Sequence, residues 1–263
     1  MLLAIDRGNT KDKFVVFDEN KIILDSSNVP NEKKKFFVEK NNFFLDINEF
    51  FLVINKLLLH NKLDLTECVF SSVKSDEDNR EFVSIASQYY NVRQITFSTP
   101  LPFKNLYKSD SLGTDRICAV AGANCLFGTN ILVIDVGTCI TFDYLNNENC
   151  YLGGSISPSF RIKFEALHNF TANLPLITSI DEVDLIGNST KDCIQSGVIN
   201  GTINEIVQTI NLYKQKYKGV RIVITGGDGR FVCKHLLDGV EYEKNLVFWG
   251  LKNIYEYNEQ KNK

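Results

Sequence analysis

The sequence predicts an α/β fold built from two related halves. Short runs rich in β-branched and aromatic residues, bounded by Gly, Asn and Asp, alternate with segments whose apolar residues recur every three or four positions. One unit is repeated about halfway along. Residues 2–18 run apolar strand, Asp-Arg-Gly-Asn-Thr, second strand, and residues 131–144 run apolar strand, Asp-Val-Gly-Thr, second strand. A third turn follows the late strand VRIVIT, which ends in Thr225-Gly226-Gly227 and then opens a helix.

In chain order, strands are expected at LLAID (2–6), KFVVFD (13–18), KIILDSS (21–27) and CVFSSV (68–73) in the first half. In the second half they are expected at ILVID (131–135), ITFDYL (140–145), YLGGSI (151–156) and VRIVIT (220–225). Helical periodicity covers roughly 46–60, 78–90, 115–127, 159–170, 190–217 and 246–257. Lys33 to Lys35 form a local basic turn, and the tail NEQKNK is expected to fray.

The chain has 263 residues, 44% of them hydrophobic, enough to bury a sizeable core. With 29 Lys plus Arg against 32 Asp plus Glu, the formal charge of -3 provides no basic field for a nucleic acid. A small-molecule partner is the better expectation. No stretch approaches the roughly 20 apolar residues of a membrane helix, and Asp6 and Arg7 interrupt the opening too early for a signal peptide. The expected location is cytoplasmic, with no membrane partner. Seven dispersed cysteines without a C-x-x-C read as buried free thiols, and His60, His168 and His235 make no metal-ligand pattern.

The chemistry lies in the turns. A single D-x-G-T is common in hairpins, where Asp and Gly serve the turn itself. Its recurrence at matching positions points instead to two turns whose backbone N–H groups and hydroxyls grip phosphate oxygens. Asp6 and Asp135 end the two leading strands. Beside a triphosphate a bare carboxylate would repel the anion, so magnesium and a second cation are expected there. The Thr225-Gly226-Gly227 turn either lets backbone approach a nucleotide or is a plain strand-to-helix turn. Asp115 precedes the amphipathic run RICAVAGANCLF and is placed to cap that helix. Arg116 suits either a surface ion pair or a substrate carboxylate. Thr190 stands where a helix cap or a ligand contact would serve equally. Phe160, Phe164 and Phe170 mark an apolar helix face: core, dimer seam or ligand box.

Taken together, these motifs resemble the actin, sugar-kinase and heat-shock ATPase superfamily, and within it the type III pantothenate kinases. The resemblance is carried by DRGNTK (6–11), LGTDR (112–116), DVGTCITFD (135–143), GGSISPSF (153–160), GNSTKDCIQSG (187–197) and ITGG (224–227), in the family's order. It implies two ribonuclease H-like halves with an ATP cleft between them: 1–115 with the first phosphate loop, and 116–263 with the second loop and the adenosine turn. It implies ATP-dependent phosphorylation of pantothenate to 4'-phosphopantothenate, the first step of coenzyme A biosynthesis. On matching positions, Asp6, Arg7, Gly8, Asn9, Thr10, Lys11, Asp12, Lys13, Thr138, Gly226 and Gly227 would bind ATP. Tyr107, Gly113, Thr114, Asp115, Arg116 and Thr190 would bind pantothenate, with Asp115 as catalytic base and Arg116 on the carboxylate. Asp135 would hold a monovalent cation, K+ or NH4+, alongside ATP with Mg2+. The family's dimers, with pockets partly completed by the neighbouring subunit, imply a homodimer. Two departures stand out: the chain is one residue shorter between Tyr107 and Gly113 than many relatives, and Arg7 replaces their usual aliphatic residue.

Overall fold

A computed structural model describes residues 1–8, 12–26, 47–236 and 239–261. Its strands are β1 (Leu2–Arg7), β2 (Asp12–Asp18), β3 (Lys21–Asp25), β4 (Glu67–Ser72), β5 (Asn91–Gln94), β6 (Lys104–Asn105), β7 (Ile131–Val136), β8 (Cys139–Leu145), β9 (Cys150–Pro158), β10 (Arg221–Thr225) and β11 (Val240–Tyr242). The helices are α1 (Ile47–His60), α2 (Asp76–Ala86), α3 (Thr114–Phe127), α4 (Phe160–Asn169), α5 (Thr190–Lys216), α6 (Gly229–Cys233) and α7 (Leu246–Lys261). They divide into two compact units: Met1–Phe103, Tyr107–Cys125 and Leu246–Lys263 in one, Lys104–Leu106 and Leu126–Asn245 in the other.

In the first unit the sheet order is β3-β2-β1-β4-β5. β1 pairs antiparallel with β2 and parallel with β4. Its run of buried apolar residues on both faces fits a strand covered on each side by helices. On one face Leu3, Ile5, Phe14, Val16 and Phe70 pack with Phe50, Phe51 and Ile54 of α1 and with Phe82 and Ile85 of α2. On the other face Phe17 meets Trp249 of α7 edge-on at 5.0 Å. There α3 and α7 cross backbone to backbone: a Cβ on Gly122 would lie 2.0 Å from Leu246 O, and one on Gly250 would lie 1.7 Å from Cys118 O.

The second unit repeats this plan as β9-β8-β7-β10-β11, adding β6 beyond β9. The directions match as well, since β7 is antiparallel to β8 and parallel to β10. Its core joins Leu132, Ile134 and Phe142 to Phe160 and Phe164 of α4 and to Ile194, Val198 and Ile206 of α5. Phe160 and Phe164 are therefore core residues, whereas Phe170 is 87% exposed.

Three short strands, β5, β6 and β11, carry too few residues to show a period and were not expected. The helix expected over 78–90 begins at Asp76, after Ser75 accepts from the Asp78 N–H, and ends at Ala86. All seven cysteines are free as expected, but Cys125 and Cys193 are exposed rather than buried.

Candidate active site

The first unit gathers carboxylates at the ends of β1 and α3. Asp6 lies in register with Lys13 on one side and Ser71 on the other. The Ser71 hydroxyl donates to Asp6 Oδ1 at 3.3 Å. Burial raises the Asp6 carboxyl from its ordinary value to about 6; Lys13 and the Ser71 hydrogen bond oppose the rise, while the charges of Asp115 and Asp12 add to it. Asp6, Asp12, Lys13 and Asp115 thus share one electrostatic environment.

Asp115 owes its place to its neighbours. A Cβ at Gly113 would lie 2.5 Å from Asp115 Oδ1, so glycine there leaves the carboxylate its room. Thr114 Oγ1 donates to Ser72 O at 3.0 Å and accepts from Ser72 N at 3.2 Å, stitching the start of α3 to the end of β4. Asp115 sits inside the first helical turn, and its Oδ1 accepts from the next residue's N–H at 2.8 Å. It is not the residue preceding the helix, as a cap would be; its charge instead meets the positive end of the helix dipole. Arg116 is buried, with its guanidinium 5.8 Å from the centre of the Tyr107 ring. The structure therefore brings Tyr107 and Arg116 together.

Of the residues expected to form the first phosphate loop, Asn9, Thr10 and Lys11 lie outside the described residues. Gly8 and Lys13 are half-buried. The Arg7 side chain turns inward, with Nε 3.2 Å from Asp12 Oδ2 and Cζ 4.2 Å above the Phe82 ring.

In the second unit Asp135 ends β7 beside Gly226. The backbone of Gly226 has φ +93, and a Cβ there would lie 2.4 Å from Asp135 Oδ1 and 2.5 Å from Val136 O. Only glycine fits both the angle and the space. The Asp228 N–H donates to Val136 O at 3.0 Å, fastening the Thr225-Gly226-Gly227 turn to the second hairpin. Thr138, Gly227 and Thr190 are exposed. Thr190 is the first helical residue of α5; the cap is Ser189, which accepts from the Asp192 N–H.

Sequence reasoning missed Ser71, Ser72 and Lys74. Two hydroxyls ending a strand next to β1 were the available signal for the serines. Lys74 Nζ stands 3.2 Å from Asp12 Oδ1, a pairing across sixty residues that no local pattern announces. Among the described residues no group of three or more His, Cys, Asp or Glu is placed to hold a metal by itself.

Comparison with known proteins identifies the family. A sequence profile described as type III pantothenate kinase matches residues 2–212. A type III pantothenate kinase of Christiangramia forsetii is 37% identical over 261 residues, spanning 98% of this chain and 99% of that protein. One of Flavobacterium johnsoniae is 36% identical over 259 residues, with 98% of each covered. Among solved structures, component A of the (R)-2-hydroxyglutaryl-CoA dehydratase of Acidaminococcus fermentans superposes with a TM-score of 0.52 at 12% identity, covering 98% of both chains. That likeness is one of fold, a two-unit ribonuclease H-like architecture. With its sequence profile matched over most of its length and full-length relatives above 30% identity, the chain belongs to the type III pantothenate kinase family.

Proposed function

We propose that the chain transfers the γ-phosphoryl group of ATP to the primary hydroxyl of pantothenate, giving 4'-phosphopantothenate, the first step of coenzyme A biosynthesis. The observation that carries this reading is the convergence of β1, β4 and α3 in the first unit, where Ser71 donates to Asp6 and the adjacent Ser72 is bonded to Thr114, the residue before Asp115. Phosphoryl transfer asks for positioning and charge neutralisation rather than covalent chemistry. Asp115 accepts the hydroxyl proton as the new O–P bond forms, and Thr114 holds the helix start that aims it. Arg116 grips the pantothenate carboxylate with its planar fork beside Tyr107, and Gly113 keeps backbone close to the substrate. Thr190 contributes a hydroxyl on the pantothenate side. Residues Asp6 to Lys13, except Arg7 whose buried side chain faces Asp12 and α2, hold the phosphates together with Thr138, and Gly226 and Gly227 leave the adenosine an unobstructed backbone.

The residues present fit the ions this chemistry uses. A buried carboxylate with its proton affinity raised by burial and by neighbouring carboxylates favours a divalent cation, and Mg2+ is commonly held by phosphates plus one or two carboxylates, here Asp6. Asp135, at the end of β7 where the Gly226 backbone comes close, would supply a carboxylate oxygen to the monovalent cation. When bound, these ions neutralise charge on the transferring phosphoryl group.

The halves 1–115 and 116–263 are proposed as functional halves, one phosphate loop in each. A cytoplasmic homodimer is also proposed. Supporting the dimer, Leu152, Ile156, Phe170, Leu185 and Ile186 of the second unit are all exposed. No helix among the described residues is long and apolar enough to cross a membrane.

A coupled assay offering ATP with pantothenate, glucose, acetate or polyphosphate tests the reading. Turnover confined to pantothenate is expected. Turnover on another acceptor, with none on pantothenate, would overturn it.

A further inference from the structure

We propose that Arg7 is a positioning residue for ATP, a buried clamp that, by acting on Asp12, fixes the end of β1 and the start of β2, the two strands that flank the first phosphate loop. The proposal rests on the reading of residues 6–13 as a phosphate loop. Arg7 and Asp12 face each other in the β1–β2 register as the last pair before the turn, with Gly8 to Lys11 between them. Their side chains close that pair, Arg7 Nε to Asp12 Oδ2 at 3.2 Å. The second Asp12 oxygen faces Lys74 Nζ, also at 3.2 Å. Both ends of the turn and both oxygens of the closing carboxylate are thus tied down.

The rest of the guanidinium reaches a different element. Its Nη1 donates to Asp78 O at 3.1 Å and to Asn79 Oδ1 at 3.2 Å, both in the first turn of α2. Its plane lies over Phe82 of the same helix. The Arg7 carbonyl accepts from the Val73 N–H at 3.1 Å, which adds the segment after β4. One residue therefore fastens β1, β2, the β4–α2 connection and α2 to each other.

Energetics make this arrangement informative. Arg7 is only 2% exposed, and taking a guanidinium out of water is costly unless its donors are filled. Where packing alone is needed, an aliphatic residue is cheaper. What the aliphatic residue lacks is a rigid fork that bonds in several directions at once. Being enclosed and committed to protein partners, the fork is no phosphate ligand; its service to ATP passes through Asp12 and the turn it closes.

The test compares Arg7→Leu, Arg7→Lys and Asp12→Asn with the parent, using steady-state kinetics for both substrates, calorimetric titration with Mg2+–ATP, and a thermal melt. Arg7→Leu should weaken ATP by about tenfold in both KM and binding, the range seen when a supporting contact behind a ligand is lost. Its KM for pantothenate should stay within about twofold, because the substrate side does not rest on this clamp. Arg7→Lys keeps the charge but not the fork and should fall between. Asp12→Asn leaves the α2 contacts in place and loosens the closing pair together with the Lys74 ion pair, so it should weaken ATP while melting close to the parent. It decides the matter if Arg7→Leu does not fold. Folded variants that bind ATP like the parent would overturn the proposal. So would a pattern in which both substrates weaken alike, since that signals general loosening. The titration reads the clamp without turnover, so a parent that binds ATP but leaves pantothenate untouched would count against the assigned reaction and not against Arg7.

Discussion

Asp6→Asn should make the ligand-free protein more stable at neutral pH while abolishing its activity. The Asp6 carboxyl rises from 3.8 to about 6 in the folded chain, chiefly through burial. Its proton is held more tightly folded than unfolded, so ionisation opposes folding. Below the unfolded value both states are protonated and nothing is lost; between 3.8 and about 6 stability falls as pH rises, and above that the full penalty is present. At about 1.4 kcal/mol per pKa unit the penalty is up to about 3 kcal/mol. For a chain of this size that corresponds to a rise in melting temperature of about 5 °C or more on removing the charge. The amide still accepts the Ser71 hydroxyl, so shape and hydrogen bond persist. Melting curves of parent and variant at pH 7.5 and pH 4 check the reasoning: the variant should gain at the first and not at the second. Mg2+–ATP should stabilise the parent more than the variant, since the cation relieves a charge the variant lacks. A variant that melts at or below the parent at pH 7.5 would refute the assignment of burial as the dominant cause.

Asp115→Asn should lower turnover by about 10²–10⁴-fold with ATP binding nearly unchanged, the usual worth of a general base; normal melting with turnover within about threefold of the parent would remove Asp115 from that role. Replacing potassium by sodium should sharply reduce activity, and Asp135→Asn should reduce that dependence together with the rate, so equal rates of the parent in the two salts would reject the cation site. Gly226→Ala forces a side chain into a positive-φ position already touching Asp135 and should cost about 1–3 kcal/mol of stability, read as a lowered melting temperature of the purified variant.

Much of this was legible because the repeated turns are local. The Asp that ends a strand, the Gly that follows it and the apolar runs on either side lie within a few residues, so Asp6 and Asp135 could be matched before any contact was known. The role of Gly113 was not legible, because it depends on where the Asp115 oxygen goes rather than on the residue itself. Of the two readings of Thr190, the cap is off by one position, since Ser189 and Thr190 are both hydroxyl residues and only backbone geometry separates them. Arg7 was legible as an oddity alone; its partners Asn79 and Phe82 lie more than seventy residues away. β6 and β11 exist through pairing with neighbours that sequence does not announce, and so few residues carry no alternation.

The packing of α7 sets an order of assembly. The second unit is nearly continuous in sequence, whereas the first draws on both sides of it, because the Trp249 that covers Phe17 and the Gly250 that nests against Cys118 are made after the whole second unit. During synthesis the half that emerges first is therefore the half that is finished last. Until α7 arrives, that face of the β1 sheet has only α3 to cover it, and completing it requires a contact spanning most of the chain, the kind of long-range pairing that slows folding. The carboxylates of the first unit are thus seated on a sheet whose completion waits for the second.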